Sequence, residues 1–247
     1  MEYPFLRCEM LWGEAAQQRL AQSHVILFGL GGVGSYTAEC LARAGIGELT
    51  LVDNDTVALT NLNRQLEALH STLGKTKAQA VAERLRDINP DLRLHPLCAT
   101  YDAAHRDDFF HQGCRYDYIV DAIDLVSCKI DLAETARHLG IPLIMALGTG
   151  NKLDPSLLRI ADLSETYGCP LARVMRKELR KRGMEHVQVV FSPEEGVTPA
   201  QPETPPPGRR SVPGSTPWVP AAAGLLMGRA VVRGLVAAQN NPKEKEM

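Results

Sequence analysis

The feature that most constrains the fold is a glycine-rich turn between two short apolar segments in the first quarter of the chain. Residues 25–28 form an apolar run of strand length, and four glycines follow within six residues. Residues 35–44 then carry apolar side chains at helical spacing, and a second apolar run at 49–52 ends in Asp53. The order of strand, glycine turn, helix, strand and acid predicts a βαβ unit that binds a nucleotide at its turn.

The chemistry of this unit follows from its residue types. Glycines let the backbone come close to a phosphate, and the free N–H groups at the helix start point at the same anion. The residues concerned are Gly29, Gly31, Gly32 and Gly34. Asp53 can accept hydrogen bonds from ribose hydroxyls. The pattern alone does not separate NAD from ATP, and glycines also close turns that bind no ligand.

Length and charge restrict the class of protein. A chain of 247 residues is long enough for one sizeable α/β domain and short for two. Because the net charge is −2, binding of nucleic acid would have to rest on a local basic patch. The N-terminus lacks the pattern of a secretory signal, and no unbroken apolar run reaches the length of a membrane span.

The cysteines indicate a compartment and disfavour one kind of metal site. Six cysteines are scattered at positions 8, 40, 98, 114, 128 and 169. None of them forms a Cys-x-x-Cys pair, so a four-cysteine zinc site is not expected. Free, scattered cysteines fit a reducing cytoplasm, which is the predicted location.

A polar loop follows the acid of the second strand. Asn63, Arg64 and Gln65 offer amide and guanidinium groups that can bind phosphate and adenosine, although a loop of this composition is more often a plain connection. A helix over 78–88 comes next, with Lys77 at its start. A lysine in the first turn is poorly placed for the helix dipole, which favours an anionic partner for Lys77.

Two acids close the next predicted buried strand, 116–122. Carboxylates at the carboxyl end of a strand face the ligand crevice of an open α/β sheet, and Asp121 and Asp124 together suit Mg²⁺. Alternatively, Asp124 caps the helix predicted over 125–139, and both roles can hold at once. The remaining predicted elements are a strand at 92–99, a short helix at 105–112, strands at 143–147 and 187–191, and a short segment at 157–162.

The flanking segments have distinct compositions. The N-terminal arm, 1–23, is expected to be extended around Arg7 and helical over 14–22. The segment 171–183 predicts a helix with six basic residues against one acid, which is either a solvated face or a nucleic-acid surface. A proline-rich loop at 193–220 and a helix at 221–238 complete the chain.

Five motifs in order resemble a known superfamily. The motifs are GLGGVGS, LVDND, TNLNRQ, GKTKAQA and DAID. In this order they resemble the ThiF/MoeB superfamily of adenylating enzymes related to ubiquitin activation. The resemblance implies a Rossmann-like α/β fold, a mostly parallel sheet with helices on both faces, and use of ATP and Mg²⁺ as cofactors. It implies catalytic roles for Arg7, Arg64, Lys77 and Asp124. Nucleotide contacts are implied for Gly29, Gly31, Gly32, Gly34, Asp53, Asp55, Asn63, Arg64, Gln65 and Lys77, and metal binding for Asp124 and Asp121.

Three further segments are FLRCEMLWGEAA near the start, GTGNKLDPSLLRIADLSETYGCPLARVMRKELRKRG, and GSTPWVPAAAGLLMGRAVVRGL. They are similar to one subfamily, the tRNA threonylcarbamoyladenosine dehydratases. This resemblance implies that ATP activates the carboxylate of threonylcarbamoyladenosine in tRNA by adenylation, so that it cyclises with loss of water. It also implies a homodimer in which Arg7 reaches the partner's site, and it is compatible with a sulfur-relay protein as a further partner. The alternatives are an activating enzyme for a ubiquitin-like or sulfur-carrier protein, an NAD-dependent oxidoreductase and a non-catalytic nucleotide-binding adaptor.

Overall fold

A seven-stranded sheet forms the centre of the computed structural model, which describes residues 3–200 and 212–237. In chain order its strands are β1 His24–Phe28, β2 Glu48–Val52, β3 Arg93–Leu97, β4 Tyr118–Asp121, β5 Leu143–Ala146, β6 Arg159–Asp162 and β7 Gln188–Phe191. They lie in the order β3-β2-β1-β4-β5-β7-β6, and every neighbouring pair is parallel except β6 with β7. The strand order reverses between β1 and β4, and ligand crevices form at such a switch point.

Helices cover both faces of this sheet, as predicted. Within the described residues they are α1 Leu6–Trp12, α2 Glu14–Gln22, α3 Gly34–Ala44, α4 Lys77–Ile88, α5 Arg106–Phe109, α6 Val126–Leu139, α7 Pro170–Arg180 and α8 Trp218–Ala237. The largest core cluster joins α3, α4 and α8 to one face, and two smaller clusters join α5, α6 and α7 to the other. The predicted fold class is therefore confirmed.

The apolar runs of the sequence reflect strands that are buried on both faces. In β1, Val25 and Leu27 belong to the core cluster of one face, while Ile26 and Phe28 belong to that of the other. A strand covered on both sides reads as a continuous apolar run rather than an alternating one. The edge strand β3 alternates between exposed and half-buried residues and contains Pro96, whose missing N–H is tolerated at an edge.

The conformation predicted for the N-terminal arm is wrong. Residues around Arg7 form the helix α1, which stops at Gly13 with a φ of +86° before α2 begins at the predicted place. The segment contains neither glycine nor proline between residues 5 and 12, so nothing in it prevents a helical turn. Phe5 packs beside Gly45 at the end of α3, which holds α1 against the body of the protein.

The last helix begins three residues earlier than predicted. Pro220 lies within the first turn of α8, where a backbone N–H is not needed for helical hydrogen bonds. By length and mean hydropathy (1.4) α8 could cross a membrane, but 56% of its most apolar 18-residue stretch is buried inside the protein. Gly228 lies so close to Cys40 of α3 that a Cβ there would be 2.5 Å from the sulfur. α8 is therefore a core helix packed on α3.

Other segments differ from the predictions only at their ends. α7 starts at Pro170 and stops at Arg180, so residues 181–183 of the predicted basic helix form a turn. The described parts of the proline-rich loop, 193–200 and 212–217, contain no helix or strand. Residues 201–211 of this loop and residue 238 of the predicted last helix lie outside the described residues.

Candidate active site

A cleft of about 840 Å³ opens at the carboxyl ends of β1, β2, β4 and β5. This volume lies within the range of small-molecule sites. Its walls come from separate parts of the chain: the glycine turn, the loop after β2, the start of α4, residues 99–101, residues 122–125, residues 146–150 and residues 213–215. The cleft therefore lies at the switch point of the sheet, where the glycine turn predicts it.

The four glycines have two different roles. Gly31 and Gly32 line the cleft at the start of α3, where the backbone is available to an anion. Gly29 also lines it, with a φ of +88°, and a Cβ there would lie 2.7 Å from the carbonyl oxygen of Ala122. Gly34 does not line the cleft. A Cβ on Gly34 would overlap the carbonyl oxygen of Gly29, so its role is to let α3 begin tightly against β1.

Asp53 fastens the glycine turn to the end of β2. Its Oδ2 accepts a hydrogen bond from the Leu30 amide at 2.6 Å, and its Oδ1 accepts one from the Asp55 amide at 2.8 Å. Asp53 also lines the cleft. Each carboxylate oxygen can accept a second hydrogen bond, so this arrangement is compatible with a ribose hydroxyl at the same carboxylate.

Lys77 is a buried cation paired with an exposed acid. Its side chain is 7% exposed, and its Nζ lies 2.8 Å from Oδ2 of Asp55, which is 63% exposed. Both residues line the cleft. Asp55 is thus the anionic partner that was expected for a lysine at a helix start. It lies on the rim of the cleft, where a phosphate could take its place beside Lys77.

The polar loop after β2 divides into lining and supporting residues. Arg64 and Gln65 line the cleft, but Asn63 does not. The side chain of Asn63 donates to the carbonyl oxygen of Ser215 at 3.0 Å and accepts from Arg64 Nη1 at 2.8 Å. Asn63 therefore orients Arg64 and holds the loop against the far wall. Among the described residues, the buried Oε1 of Gln65 has no hydrogen-bond partner, which leaves it for a ligand.

The two acids after β4 occupy different environments. Asp124 is exposed and lines the cleft, and Leu125 occupies the N-cap position of α6, one residue beyond the predicted cap. Asp121 is fully buried, does not line the cleft, and forms an ion pair with Lys129 at 3.2 Å. Burial raises the pKa of Asp121, although Lys129 and the Ile123 amide act in the opposite direction. Asp124 thus fits a Mg²⁺ ligand, whereas Asp121 balances the charge of Lys129.

Two distant segments close the side of the cleft. Asn151, in the loop after β5, adopts a φ of +61°. Its backbone amide donates to the Gly214 carbonyl at 2.8 Å, and its Oδ1 accepts from the Gly214 amide at 2.7 Å. Pro213 and Ser215 line the cleft beside Gly214. The proline-rich loop, to which no role was assigned from the sequence, therefore contributes to the site through its C-terminal end.

The comparison with protein families identifies the fold family. The model of the ThiF family matches residues 6–246. The chain belongs to the ThiF family. The family resemblance predicted from the motifs is confirmed over almost the whole length of this ThiF-family protein.

Several of its relatives are named for the same activity. The tRNA threonylcarbamoyladenosine dehydratase of Bacillus subtilis is 40% identical over 245 residues, 96% of each chain, and that of Escherichia coli is 39% identical over 76% of this chain and 73% of its own. The crystal structure of the E. coli dehydratase TcdA in complex with ATP matches with a TM-score of 0.85, 34% identity, and coverage of 96% and 95%. E. coli MccB matches with a TM-score of 0.66 at 18% identity, which shows the fold alone.

Two buried charged residues of this ThiF-family protein, one in the lining of the cleft and one outside it, were not predicted from the sequence. Lys129 lines the cleft from α6 although its side chain is only 1% exposed. The sequence did contain an indication of this role, because Lys129 lies on a face of the α6 helix that otherwise packs into the core. Glu67 is 2% exposed, and neither of its carboxylate oxygens has a hydrogen-bond partner in the described part of the chain. Nothing in the local sequence distinguishes Glu67 from a surface residue.

Glu67 is an acid held in an unfavourable environment. Burial raises its pKa to about 7, the charge of Lys77 acts in the opposite direction, and that of Asp53 adds to the rise. The nearby hydroxyl of Ser35 donates to the carbonyl oxygen of Gly31 at 2.7 Å, so its hydrogen is already used. The carboxyl group therefore ionises only near neutral pH.

The basic helix of this ThiF-family protein begins at the rim of the cleft. Leu171, in the first turn of α7, lines the cleft. Several of the basic side chains have partners: Arg180 with Glu185, Lys181 with Glu178, Arg182 with both Glu134 and Glu178, and Arg176 with Thr166. Arg173 and Lys177 are exposed, and no ion pair of theirs appears in the described ranges. The free positive charge is thus smaller than the sequence suggests and lies on these two residues.

Arg7 lies away from the cleft of its own chain. It is exposed on α1 and does not line the cleft. Its helix packs near the last residues of α3, where Cys8 lies 4.0 Å from the Arg43 carbonyl oxygen. α3 starts at the cleft and has 11 residues, about 16 Å of helix. Arg7 therefore lies beside the end of α3 that is farther from the cleft of its own chain.

Proposed function

We propose that this protein is an ATP-dependent dehydratase that activates the carboxylate of threonylcarbamoyladenosine in tRNA. The observation that carries the proposal is the cleft itself. A glycine turn, an acid after β2, and the cations Arg64, Lys77 and Lys129 meet at one end of the sheet. Identity of 40% to a named dehydratase over 96% of both chains supports the choice of substrate.

The proposed chemistry needs positioning and positive charge rather than an enzyme nucleophile. An oxygen of the substrate carboxylate attacks the α-phosphorus of ATP, and pyrophosphate leaves. A nucleophilic atom of the same modification then attacks the carboxyl carbon, and AMP leaves with the carboxylate oxygen. The nucleoside loses one water in total. Because ring closure is intramolecular, none of the cysteines is assigned a catalytic role.

The charged residues of the cleft fit these steps. Arg64 and Lys77 are placed to bind the triphosphate, and Asp53 to bind the ribose. Asp124 would hold Mg²⁺, because hard cations of this kind prefer carboxylate oxygens. When bound, the metal would neutralise part of the phosphate charge.

Three alternatives differ in what they require of the cleft. An NAD-dependent oxidoreductase needs neither a cluster of cations nor an acid such as Asp124 for a metal. A nucleotide-binding adaptor needs no assembled set of ATP-binding groups. An activating enzyme for a carrier protein would use the same cleft, so it is the alternative that an experiment must separate. We also propose a cytoplasmic homodimer and leave a sulfur-relay partner as a prediction.

Mass spectrometry of tRNA nucleosides tests the proposal. Purified protein is incubated with Mg·ATP and tRNA that contains threonylcarbamoyladenosine, and the nucleosides are analysed after digestion. We expect loss of one water from the modified nucleoside, dependent on ATP. An unchanged nucleoside, combined with adenylation of a small carrier protein by the same preparation, would support the carrier-activating alternative instead.

A further inference from the structure

A second cluster of polar side chains lies at the opposite end of the sheet. His24, Glu48 and His95 bring their imidazole nitrogens and a carboxylate oxygen within 4.8 Å of one another. The strand register explains why they meet, since β1 pairs His24 with Glu48 and β2 pairs Thr50 with His95. Residues two apart along a strand share a face of the sheet, so the three side chains project from the same face.

The distances are close to those of a metal site. Nε2 of His95 lies 2.8 Å from Oε1 of Glu48, and Nδ1 of His24 lies 3.6 Å from the same oxygen. In a tetrahedral zinc site with bonds of about 2.0 to 2.1 Å, the ligand atoms lie about 3.3 Å apart. Small side-chain rotations would therefore bring the three ligand atoms to bonding distance from one ion.

We propose that His24, Glu48 and His95 form a zinc-binding site with solvent in the fourth position. Two imidazoles and one carboxylate are a common ligand set for Zn²⁺, and imidazole disfavours Mg²⁺ and Ca²⁺. The side chain of His95 is 48% exposed, so an ion can reach the site from solvent. The proposed site differs in ligands and position from the four-cysteine site that the sequence disfavours.

Neighbouring groups orient these ligands. Arg93 donates to Oε2 of Glu48 at 2.7 and 3.1 Å, which directs Oε1 towards the two histidines. Nε2 of His24 lies 2.9 Å from the Thr50 hydroxyl oxygen. When this nitrogen carries the hydrogen, Nδ1 presents its lone pair to a metal. Such outer contacts typically fix the tautomer of a metal-binding histidine.

Some of the neighbouring charges favour the binding of a metal cation at this site, and others oppose it. Burial lowers the pKa of His24, which keeps the ring neutral and able to bind a metal at neutral pH. The guanidinium of Arg93 opposes a second positive charge nearby. Burial raises the pKa of Glu48, but hydrogen bonds from Arg93 and His95 outweigh it and lower the pKa, so Glu48 carries the negative charge that offsets both. The hydrogen through which Nε2 of His95 donates to Glu48 in the metal-free chain would leave when a metal binds at that nitrogen.

This site is separate from the catalytic cleft. The cluster is at the amino ends of β1 and β2, while the cleft is at their carboxyl ends. Five-residue strands separate the two by roughly 13 Å. A bound ion would connect β1, β2 and the edge strand β3, so it should stabilise the folded chain by mass action and leave the chemistry of the cleft unchanged.

Metal titration of the full chain, freed of metal with a chelator and carrying no histidine tag, tests the site. Zn²⁺ is added in competition with a chromophoric chelator, and Co²⁺ is used in parallel as a spectroscopic probe. We expect one Zn²⁺ per chain, a rise in thermal stability with Zn²⁺, and visible absorption of tetrahedral Co²⁺ without a thiolate charge-transfer band.

Matched variants assign the ligands. His95→Ala and Glu48→Gln should each weaken Zn²⁺ binding by more than about 100-fold, because loss of an outer contact alone costs about 10- to 100-fold. His105→Ala is the control: this histidine is 56% exposed and contacts a single carboxylate, that of Asp102. Its removal should leave the affinity unchanged. Circular dichroism checks that the variants fold.

Two results would overturn the proposal. The first is the absence of stoichiometric Zn²⁺ binding at neutral pH. The second is binding that survives His95→Ala and is lost in Cys114→Ser, together with a thiolate band of Co²⁺, because Cys114 lies 3.2 Å from His111 and could bind metal with it instead.

Discussion

At the scale of single residues, Lys77 shows how a buried charge is kept available for a ligand. Its partner Asp55 is exposed, so water and an incoming anion can both reach the pair. A fully enclosed ion pair, such as that of Lys129 with Asp121, is harder to exchange because both charges have lost their hydration. Lys77 is therefore the cation best placed to change partner when a triphosphate binds.

We predict that Lys77→Ala lowers the ATP-dependent dehydration rate by at least about 100-fold, the usual effect of losing one stabilising group at a transition state. The fold should survive, since the acid left without its partner, Asp55, is exposed. Nucleoside mass spectrometry measures the rate. Lys75→Ala is a matched control, because Lys75 is 43% exposed and pairs with Glu83. Equal rates for the two variants would place the triphosphate elsewhere.

Asp53 is less suitable for such a test than the sequence suggests. A ribose-binding role alone predicts that Asp53→Ala removes activity without disturbing the structure. The carboxylate accepts two backbone hydrogen bonds that fasten the glycine turn. Its loss would release the turn as well as the ribose contact, so an inactive variant would not distinguish the two effects.

Glu67 leads to a prediction about stability and pH. Burial raises its pKa in the folded protein from an ordinary value of 4.5 to about 7. The folded state therefore binds the proton more tightly than the unfolded state, and this residue's contribution to stability falls as pH rises from about 4.5 to about 7. Between pH 5 and pH 8 the loss should amount to about 2 kcal/mol.

We predict that Glu67→Gln removes this pH dependence. Urea unfolding without nucleotide, at pH 5 and pH 8, should show that the variant gains stability relative to the original protein as pH rises. Glu165→Gln, which alters an exposed carboxylate, serves as the control. Parallel changes in the free energy of unfolding for all three proteins would mean that Glu67 is solvated rather than buried.

At the scale of elements, the local sequence pattern predicted the helices and strands whose ends are set by neighbouring residues in the chain. The ends of β1, β2, α3 and α4 match the predictions within one residue or so, because apolar runs, glycines and the N-cap Thr76 define them. The N-terminal helix α1 was missed because nothing in the local sequence marks it, and the contact that anchors it, Phe5 beside Gly45, joins residues 40 apart in the chain. The partners of the basic helix could not be foreseen either, since Glu134 is 48 residues away from Arg182.

The structure changes which residues of the basic helix should be tested for tRNA binding. From the sequence alone, the six basic residues of this helix are equivalent candidates for contact with tRNA. Arg176 donates to the Thr166 carbonyl at 2.6 Å, so replacing it would disturb the preceding loop. Arg180 is paired with Glu185. Arg173 and Lys177 are the exposed cations of α7 for which the described residues offer no acidic partner.

We predict that Arg173→Glu combined with Lys177→Glu weakens tRNA binding and reduces the slope of log K against log salt by about one per lost phosphate contact. ATP binding should persist, because neither side chain lines the cleft. Filter binding or fluorescence anisotropy at several salt concentrations measures both quantities.

A charge-matched control distinguishes contact of tRNA with α7 from an effect of the protein's net charge. Arg86→Glu with Arg115→Glu changes the net charge equally, at the end of α4 and before β4, both far from the cleft. If this control lowers tRNA affinity as much as the α7 variant does, then net charge, rather than α7, accounts for binding.

At the scale of the whole molecule, the sheet separates two polar sites by placing them at its opposite ends. The location of the cleft was predictable, since parallel strands bring their carboxyl ends together. Its full boundary was not, because residues 146–150 and 213–215 reach the cleft only through long-range folding. Asn151 illustrates this: its two hydrogen bonds to Gly214 join segments 63 residues apart.

We propose that a second copy of the chain supplies Arg7 to the site. An arginine supplied in trans is worth about 10³ to 10⁵ in the rate of phosphoryl transfer. Arg7 is exposed beside two apolar side chains of α1, Met10 and Leu11, which are 70% and 84% exposed. An exposed apolar surface next to a basic residue suits contact with another protomer. A two-fold dimer would complete two sites with one interface.

We predict that mixing Arg7→Ala with Lys77→Ala subunits restores activity, although each variant alone is inactive. In a heterodimer one site lacks both side chains and the other has both, so random exchange should give about a quarter of the original activity. If Arg7 acts in cis, every site lacks one side chain and the mixture stays inactive. An inactive mixture in which native mass spectrometry demonstrates heterodimers, or an active monomer at the assay concentration, would contradict the trans arrangement. The Arg7→Ala variant alone, at the same total protein concentration, provides the baseline activity, because exchange among its subunits cannot create a complete site.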